Sequence, residues 1–230
     1  MEFNPTVSKL AVLLSDLSRS RILICLMDGR YHSAGELALA AKIKPQTASF
    51  HLKKIAESGI IKVKNEGRHR FYSLKDAESA AILESFLAIS PTPAVNSFNQ
   101  TSSKKTIKLA RTCYDHLAGE LGVKITRFLI HNKFLLEADE KNYLLSEDGK
   151  DFFKDFGIEV DEQKNKRRAF ARKCLDWTER EYHLAGALGN SIITRMFELQ
   201  WFQRRKDTRA LRLTDKGKCD IHKVFNINIE

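Results

Sequence analysis

Apolar positions recur with two periods along this chain, and the first 90 residues carry the clearer signal. Leu10, Leu13, Leu14 and Leu17 repeat at helical spacing, and a second apolar helix is predicted from Ser20 to Met27, closed by Asp28-Gly29. Ser33-Ala34-Gly35-Glu36 has the form of a capping box, in which the serine takes one exposed amide and the glutamate reaches back to another. A short helix should follow to about Ile43. Pro45 suits a first helical position, and the helix it opens should run to Ser58 and stop at Gly59. Residues 60–64 and 69–74 read as strands around a turn at Asn65-Glu66-Gly67. A last helix from Asp76 to about Ile89 places Leu83, Phe86 and Leu87 on one side.

The second half repeats itself. Residues 110–122 and the segment from Ala171 to Gly189 match at ten of thirteen aligned positions, once six residues (Trp177 to Tyr182) are set aside as an insert. A second match aligns Leu145-Ser146-x-x-Gly149-Lys150 with Leu213-Thr214-x-x-Gly217-Lys218. Each copy is predicted as a long helix, a second helix, two strands and a closing helix. The strands fall at 134–136 and 143–145 in one copy and 201–204 and 210–213 in the other, with Ser146 and Thr214 as helix caps. The four strands can join into one small sheet. Pro91 and Pro93 lie in a polar stretch that reads as a linker. The expected domains are therefore residues 1–90, a linker at 91–105, and a duplicated domain at 106–230 with repeats of about 106–158 and 167–227.

Charge narrows the partners. The chain has 39 Lys and Arg against 29 Asp and Glu, a net +10, which points to nucleic acid, an acidic membrane or acidic partners. Residues 42–75 hold nine basic residues against only Glu57 and Glu66. The longest apolar run near the start, residues 22–27, is far below the roughly 20 that a membrane helix needs. The first residues lack a signal-peptide pattern, and the four cysteines form no Cys-x-x-Cys pair. These features predict a cytoplasmic protein with reduced thiols that is not associated with a membrane.

Helix, short helix, turn, helix and a basic hairpin is the order of a winged helix-turn-helix. A helix entering the major groove needs short polar side chains on its leading turns, so that the backbone can approach the base edges. Gln46, Thr47 and Ser49 supply that face, while Phe50 and Leu52 are expected in the core. Lys44, Lys53 and Lys54 are placed for phosphates, His51 is a further DNA-binding candidate, and Lys62, Lys64, Arg68, His69 and Arg70 make a cationic wing tip. The bland alternative for the wing charges is a solvated hairpin face.

Over residues 7–89 the chain resembles the ArsR/SmtB family of bacterial winged-helix repressors. The resemblance rests on Ser33-Ala34-Gly35-Glu36-Leu37-Ala38, Gln46-Thr47-Ala48-Ser49-Phe50-His51-Leu52-Lys53, Glu57-Ser58-Gly59-Ile60-Ile61 and Glu66-Gly67-Arg68-His69-Arg70-Phe71-Tyr72-Ser73-Leu74. It implies a homodimer formed by the first and last helices, bound to an inverted-repeat operator and released by an inducer. It also implies where metals would sit, and the chain departs there. The helix before the recognition helix reads Glu36-Leu37-Ala38-Leu39-Ala40-Ala41, with no cysteine, and the last helix offers Asp76, Glu78 and Glu84 but no histidine. No metal is expected at the usual family sites, and the cofactor, if any, is open.

The fold class expected is mainly α with small β-hairpins: an N-terminal winged helix-turn-helix followed by an α+β domain of two winged-helix-like repeats. Within the repeats, Cys113 and His116 stand three apart on one face of a predicted helix, with Cys174 and His183 as counterparts. Packing about a pseudo-two-fold can bring two cysteines and two histidines together, a tetrahedral set suited to zinc, although the insert separates the second pair. Competing readings are an oxidant-sensing thiol, a small organic effector held by Tyr114, Trp177, Tyr182 and Trp201, or plain scaffolding. Arg111–Asp115 and Arg172–Asp176 read as helix-surface ion pairs. No phosphate-cradling loop, nucleophile elbow or His-Glu-x-x-His is present, so no enzyme is expected. The function that fits best is a dimeric, sequence-specific repressor released by an effector in the C-terminal domain. The rivals are a small-molecule-converting domain on a winged-helix dimerisation unit, and a nonspecific DNA-coating protein.

Overall fold

The computed structural model describes residues 7–91, 98–205 and 208–229. They form two compact units, the first comprising the chain to Leu83 together with Thr208 and the second Glu84–Arg205 and the chain from Arg209. Among the described residues, no helix is long and apolar enough to cross a membrane.

The first unit opens with α1 (Val7–Ser15) and α2 (Leu17–Leu26). The break between them is chemical. Asp16 leaves helical geometry and its carboxylate accepts from the Arg19 amide at 2.9 Å, so it caps a new helix three residues before the predicted start. Leu17 therefore opens α2 and is exposed, while Leu13 is buried; the side chain of Leu10 lies outside the described residues. The predicted capping box forms at Ser33 and Glu36 and starts α3 (Ala34–Ala41). Pro45 opens α4 (Pro45–Glu57), and Gly59 takes the left-handed conformation just past its end.

The strands β2 (Ile61–Glu66) and β3 (His69–Leu74) pair in register around a two-residue turn at Gly67-Arg68. The ladder thus runs two residues further than the sequence predicts. A short β1 (His32–Ser33), absent from the sequence reading, adds to β3 and gives the order β1-β3-β2. The core of this unit is Ile22, Leu23, Leu26, Leu37, Leu52, Ile55 and Leu74, all without exposed surface. Beside it, the buried Asp28 carboxylate lies 2.9 Å from His32 Nε2 and accepts from Arg30 Nε at 2.6 Å. Burial alone would raise this carboxyl, but His32 and Arg30 outweigh burial and hold it below its ordinary range.

The boundary between units falls inside α5 (Ala77–Ile89). Of the predicted linker, residues 92–97 lie outside the described residues, and α6 (Phe98–Leu109) starts where the rest of it was expected.

The second unit departs from its prediction. Residues 110–122 do not open a long helix. They form a hairpin of β4 (Arg111–Cys113) and β5 (His116–Ala118), followed by α7 (Glu120–His131). Then come the hairpin β6 (Leu135–Glu137) and β7 (Tyr143–Leu145), helix α8 (Glu147–Asp155) and short helix α9 (Val160–Lys164). The other half reads in the same order: β8 (Arg172–Leu175), β9 (Tyr182–Ala185), α10 (Gly186–Glu198), β10 (Phe202–Arg204), β11 (Leu211–Leu213) and α11 (Asp215–Phe225). Gly119 and Gly186 force the change from strand to helix. Both have positive φ (85° and 83°), and a Cβ on either would stand 2.5–2.6 Å from a backbone carbonyl oxygen. Ser146 and Thr214 cap α8 and α11 as predicted.

The four predicted strands do not join into one sheet. β6–β7 and β10–β11 are separate ladders, and each touches the other half's first hairpin. Asn142 bridges to Arg172, and Ala210 bridges to Arg111. The helices cross over in the same way, α7 packing on β9 and α10 on β5. They share one apolar core, in which Phe156, Trp201 and Phe225 meet edge-on or tilted and against which Phe128 and Phe152 pack.

Above that core sits a buried ionic cluster. Glu84 accepts from Arg111 at 3.1 Å and from Arg209 at 2.8 Å, and Asp176 accepts from Arg111 at 2.8 Å. The predicted surface pairs are therefore wrong: Arg111 pairs with Asp176 of the other half, and Asp115 pairs with Arg168. A buried carboxylate between two guanidinium groups stays ionised, and the Glu84 carboxyl is held low by Arg209 and Arg111 against its burial.

Two outcomes are expected. Glu84→Ala leaves the buried Arg209 without its carboxylate and Arg111 with Asp176 alone, and should cost the second unit about 3–5 kcal/mol in urea unfolding. Tryptophan fluorescence reads this directly, because Trp177 and Trp201 both lie in that unit. A carboxyl depressed by folding contributes stability above its unfolded value and loses it as pH falls through the folded one. The first unit should therefore weaken as pH drops below the ordinary aspartate value of 3.8. Asp28→Asn should cost about 1–3 kcal/mol at neutral pH and flatten that acid limb, followed by far-ultraviolet circular dichroism.

Candidate DNA-reading surface and a buried cysteine–histidine cluster

The amphipathic pattern of α4 buries Ala48, Leu52 and Ile55 and turns Lys44, Gln46, Thr47, Ser49, Lys53 and Lys54 outward. Ser49 Oγ donates to the Pro45 carbonyl at 3.0 Å, which ties its hydroxyl to the helix backbone. An open groove of about 840 Å³ runs beside this helix, with Ser49, Lys53, Arg68, His69 and Arg70 among its lining. Helix face and wing are thus one cationic surface. Lys62 and Lys64 flank the half-exposed Tyr31 ring at 5.6 and 5.9 Å, and Lys64 also pairs with Glu66.

Two expectations fail here. Phe50 is not in the core but 57% exposed, with Lys54 Nζ 4.4 Å above its ring, because position 50 falls on the polar side of α4. His51 does not join the cationic face: its side chain is largely buried and its Nδ1 lies 3.9 Å from Asp16. Tyr31 and Phe50 are the residues that sequence reasoning missed on this surface. Their signal was an aromatic side chain set among lysines.

In the second unit, the hairpins place Cys113 directly opposite His116 and Cys174 directly opposite His183. The two pairs then meet. Cys113 Sγ and Cys174 Sγ are 3.9 Å apart, His116 Nε2 and His183 Nε2 are 3.1 Å apart, and one donor atom of each residue lies within 4.8 Å of all the others. Cys113, His116 and His183 are buried and Cys174 is half-buried. The insert does not break the equivalence, because it lies in the loop between β8 and β9 and at the first residue of β9, and leaves the Cys174–His183 cross-strand pair intact.

Carboxylates stand behind both rings. His116 Nδ1 is 3.5 Å from Asp115 Oδ1, and His183 Nδ1 is 3.3 Å from Asp176 Oδ2, the second without hydrogen-bond alignment. Burial opposes charge on His183, yet Asp176 and Cys113 outweigh it and raise the imidazole to about 9. The contact with Cys174, together with burial, pushes the Cys113 thiol up, the opposite of what a reactive thiolate needs.

The four aromatic residues considered for an organic effector are not gathered. Trp201 is in the core with its Nε1 donating to Asp220, and Tyr182 is 49% exposed. Trp177 lies under the Arg111 guanidinium at 4.9 Å, and Tyr114 occupies the β4–β5 turn with φ of 58°.

No family model matches the chain. It is 50% identical over 226 residues to the "Uncharacterized HTH-type transcriptional regulator YdfF" of Bacillus subtilis (strain 168), covering 98% of this chain and 100% of that one. It is 30% identical over 91 residues to the "Biofilm growth-associated repressor" of Agrobacterium fabrum (strain C58), covering 39% of this chain and 78% of that one. Among solved structures it is similar to the transcriptional repressor BigR from Xylella fastidiosa, at 28% identity and a TM-score of 0.34, over 38% of this chain and 88% of that one. End-to-end similarity at this level, over a chain whose first unit has the helix-turn-helix and basic wing in place, establishes the kinship: the chain belongs to the helix-turn-helix-type transcriptional regulators.

Proposed function

We propose that this regulator is a homodimeric repressor that reads an inverted-repeat operator with α4, holds the flanking phosphates with its wing, and leaves DNA when an effector binds the second unit. The observation that carries the reading is the surface of α4 and the wing. Its leading turns expose Gln46 and Thr47, and lysines and arginines surround them with only Glu57 and Glu66 in opposition. Short polar groups supply base contacts, and the cations supply affinity without sequence preference.

A dimer is supported by an exposed apolar stripe. Ile82, Phe86 and Ile89 of α5 are 48%, 43% and 80% exposed in the single chain and follow one another at helical spacing. Val12 and Leu17 of the first two helices are exposed as well. Covering such a stripe with a second copy removes its apolar surface from water. A two-fold dimer would set its recognition helices roughly 34 Å apart, one turn of DNA. For the second unit, the ten matching positions and the twice-repeated order of hairpin, helix, hairpin and helix support an internal duplication of winged-helix-like units. Neither copy has a polar reading helix, which suits an effector domain better than a second DNA reader.

Selection from fragmented genomic DNA at near-physiological salt supplies the operator, and titration of variants tests the assignment. Gln46→Ala should cost about 1–3 kcal/mol and relax base preference at one position of each half-site. Arg70→Ala should weaken all sequences alike and lower the salt slope by about one. Equal weakening of all sequences by Gln46→Ala would sink the reading helix. Salt-sensitive binding with no preferred site would favour a DNA-coating protein.

A further inference from the structure

We infer that Cys113, His116, Cys174 and His183 form a closed tetrahedral site for one zinc-class divalent cation, which fastens two hairpins of the second unit, β4–β5 and β8–β9, together. The inference goes beyond transcriptional control and does not depend on it.

Distances carry it. Zinc binds thiolate sulfur at about 2.3 Å and imidazole nitrogen at about 2.0–2.1 Å. Tetrahedral angles then place two sulfurs about 3.8 Å apart and two nitrogens about 3.3 Å apart. The structure has 3.9 Å between the sulfurs and 3.1 Å between the nitrogens, with the whole set inside 4.8 Å. The like pairs thus stand at the spacing such an ion requires, and all four donors are gathered in one small volume.

Chemistry agrees with distance. Two imidazole nitrogens facing each other across 3.1 Å cannot both carry protons, whereas both can turn lone pairs on a cation between them. Two thiolates and two imidazoles suit zinc and exclude magnesium or calcium, which take oxygen. Asp115 and Asp176 stand at the far nitrogens of the rings, where a carboxylate orients a metal-bound histidine and raises its basicity. All four positions come from the protein, so no place remains for a substrate, and the site is structural in type. Binding would displace protons from the thiols and rings and return free energy as folding stability.

The site also explains the fold around it. The strands β4, β5, β8 and β9 are three or four residues long, too short for independent stability. One ion bound to both hairpins would join all four strands at a single point.

The test uses the full chain, purified under reducing conditions, stripped with a chelator and titrated with Co(II). One cobalt per chain should bind, with a thiolate-to-cobalt charge-transfer band and tetrahedral ligand-field bands, and stoichiometric Zn(II) should abolish both. Cys174→Ser should weaken binding by at least about 100-fold, beyond the 10–100-fold expected for losing an orienting carboxylate. Asp115→Asn should fall within that smaller range and keep the charge-transfer band. If stripping unfolds the chain, alkylation of the unstripped protein decides: Cys174 should react only after chelation, while the exposed Cys219 reacts throughout. A folded chain that binds no cobalt, or binds it without the charge-transfer band, overturns the proposal. So does Cys174 alkylation indifferent to chelator, or a Cys113–Cys174 disulfide in protein isolated without air.

Discussion

The Arg111–Asp176 ion pair joins the two halves of the second unit. Both side chains have no exposed surface, and their atoms approach to 2.8 Å. A buried charge is tolerable only when its remaining hydrogen-bonding capacity is also used. Asp176 uses its own fully: Oδ1 accepts from Arg111 and from the Thr178 amide and hydroxyl, and Oδ2 accepts from the Gly119 amide at 2.6 Å. Gly119 is where β5 turns into α7, so one carboxylate fixes the start of a helix in the opposite half. The same Oδ2 stands behind His183, and the cysteine–histidine cluster therefore inherits its geometry from this pair.

That arrangement explains why the first unit was legible and the second was not. The capping box at Ser33, Pro45 at the head of α4 and Gly59 at its end are local signals, each acting within a few residues. They fix the reading helix whatever surrounds it. Phe50 was misplaced because an aromatic residue was assumed to seek the core, although position 50 lies on the outward side of a helix whose inward positions are 48, 52 and 55. In the second unit the decisive contacts are long-range. Strands of three residues, a turn through Tyr114 without glycine or asparagine, and ion pairs 65 residues apart leave no periodic trace.

One clue was available. Cys113 and His116 are separated by three, which suits a helical face and equally suits the two residues that flank a two-residue hairpin turn. The matching segment from Ala171 breaks the tie. Cys174 and His183 are nine apart, a spacing that sets them on opposite sides of a helix but that a hairpin absorbs in its loop. An insertion tolerated between two otherwise matching segments marks a turn, because loops accept added length at small entropic cost.

The two halves are equal at the donors and unequal behind them. On one side Asp115 is half-buried, pairs with Arg168 and backs His116 from a short turn. On the other, Asp176 is wholly buried, is shared with Arg111 and backs His183 from the longer loop that the insert provides. The symmetric requirement is the meeting of two cross-strand pairs at one point, which both halves must satisfy together. The asymmetric part is what each loop does with its freed length. In the second half that loop reaches the buried ionic cluster, where Asp176 also holds Arg111, whereas Asp115 in the first half pairs with Arg168 instead.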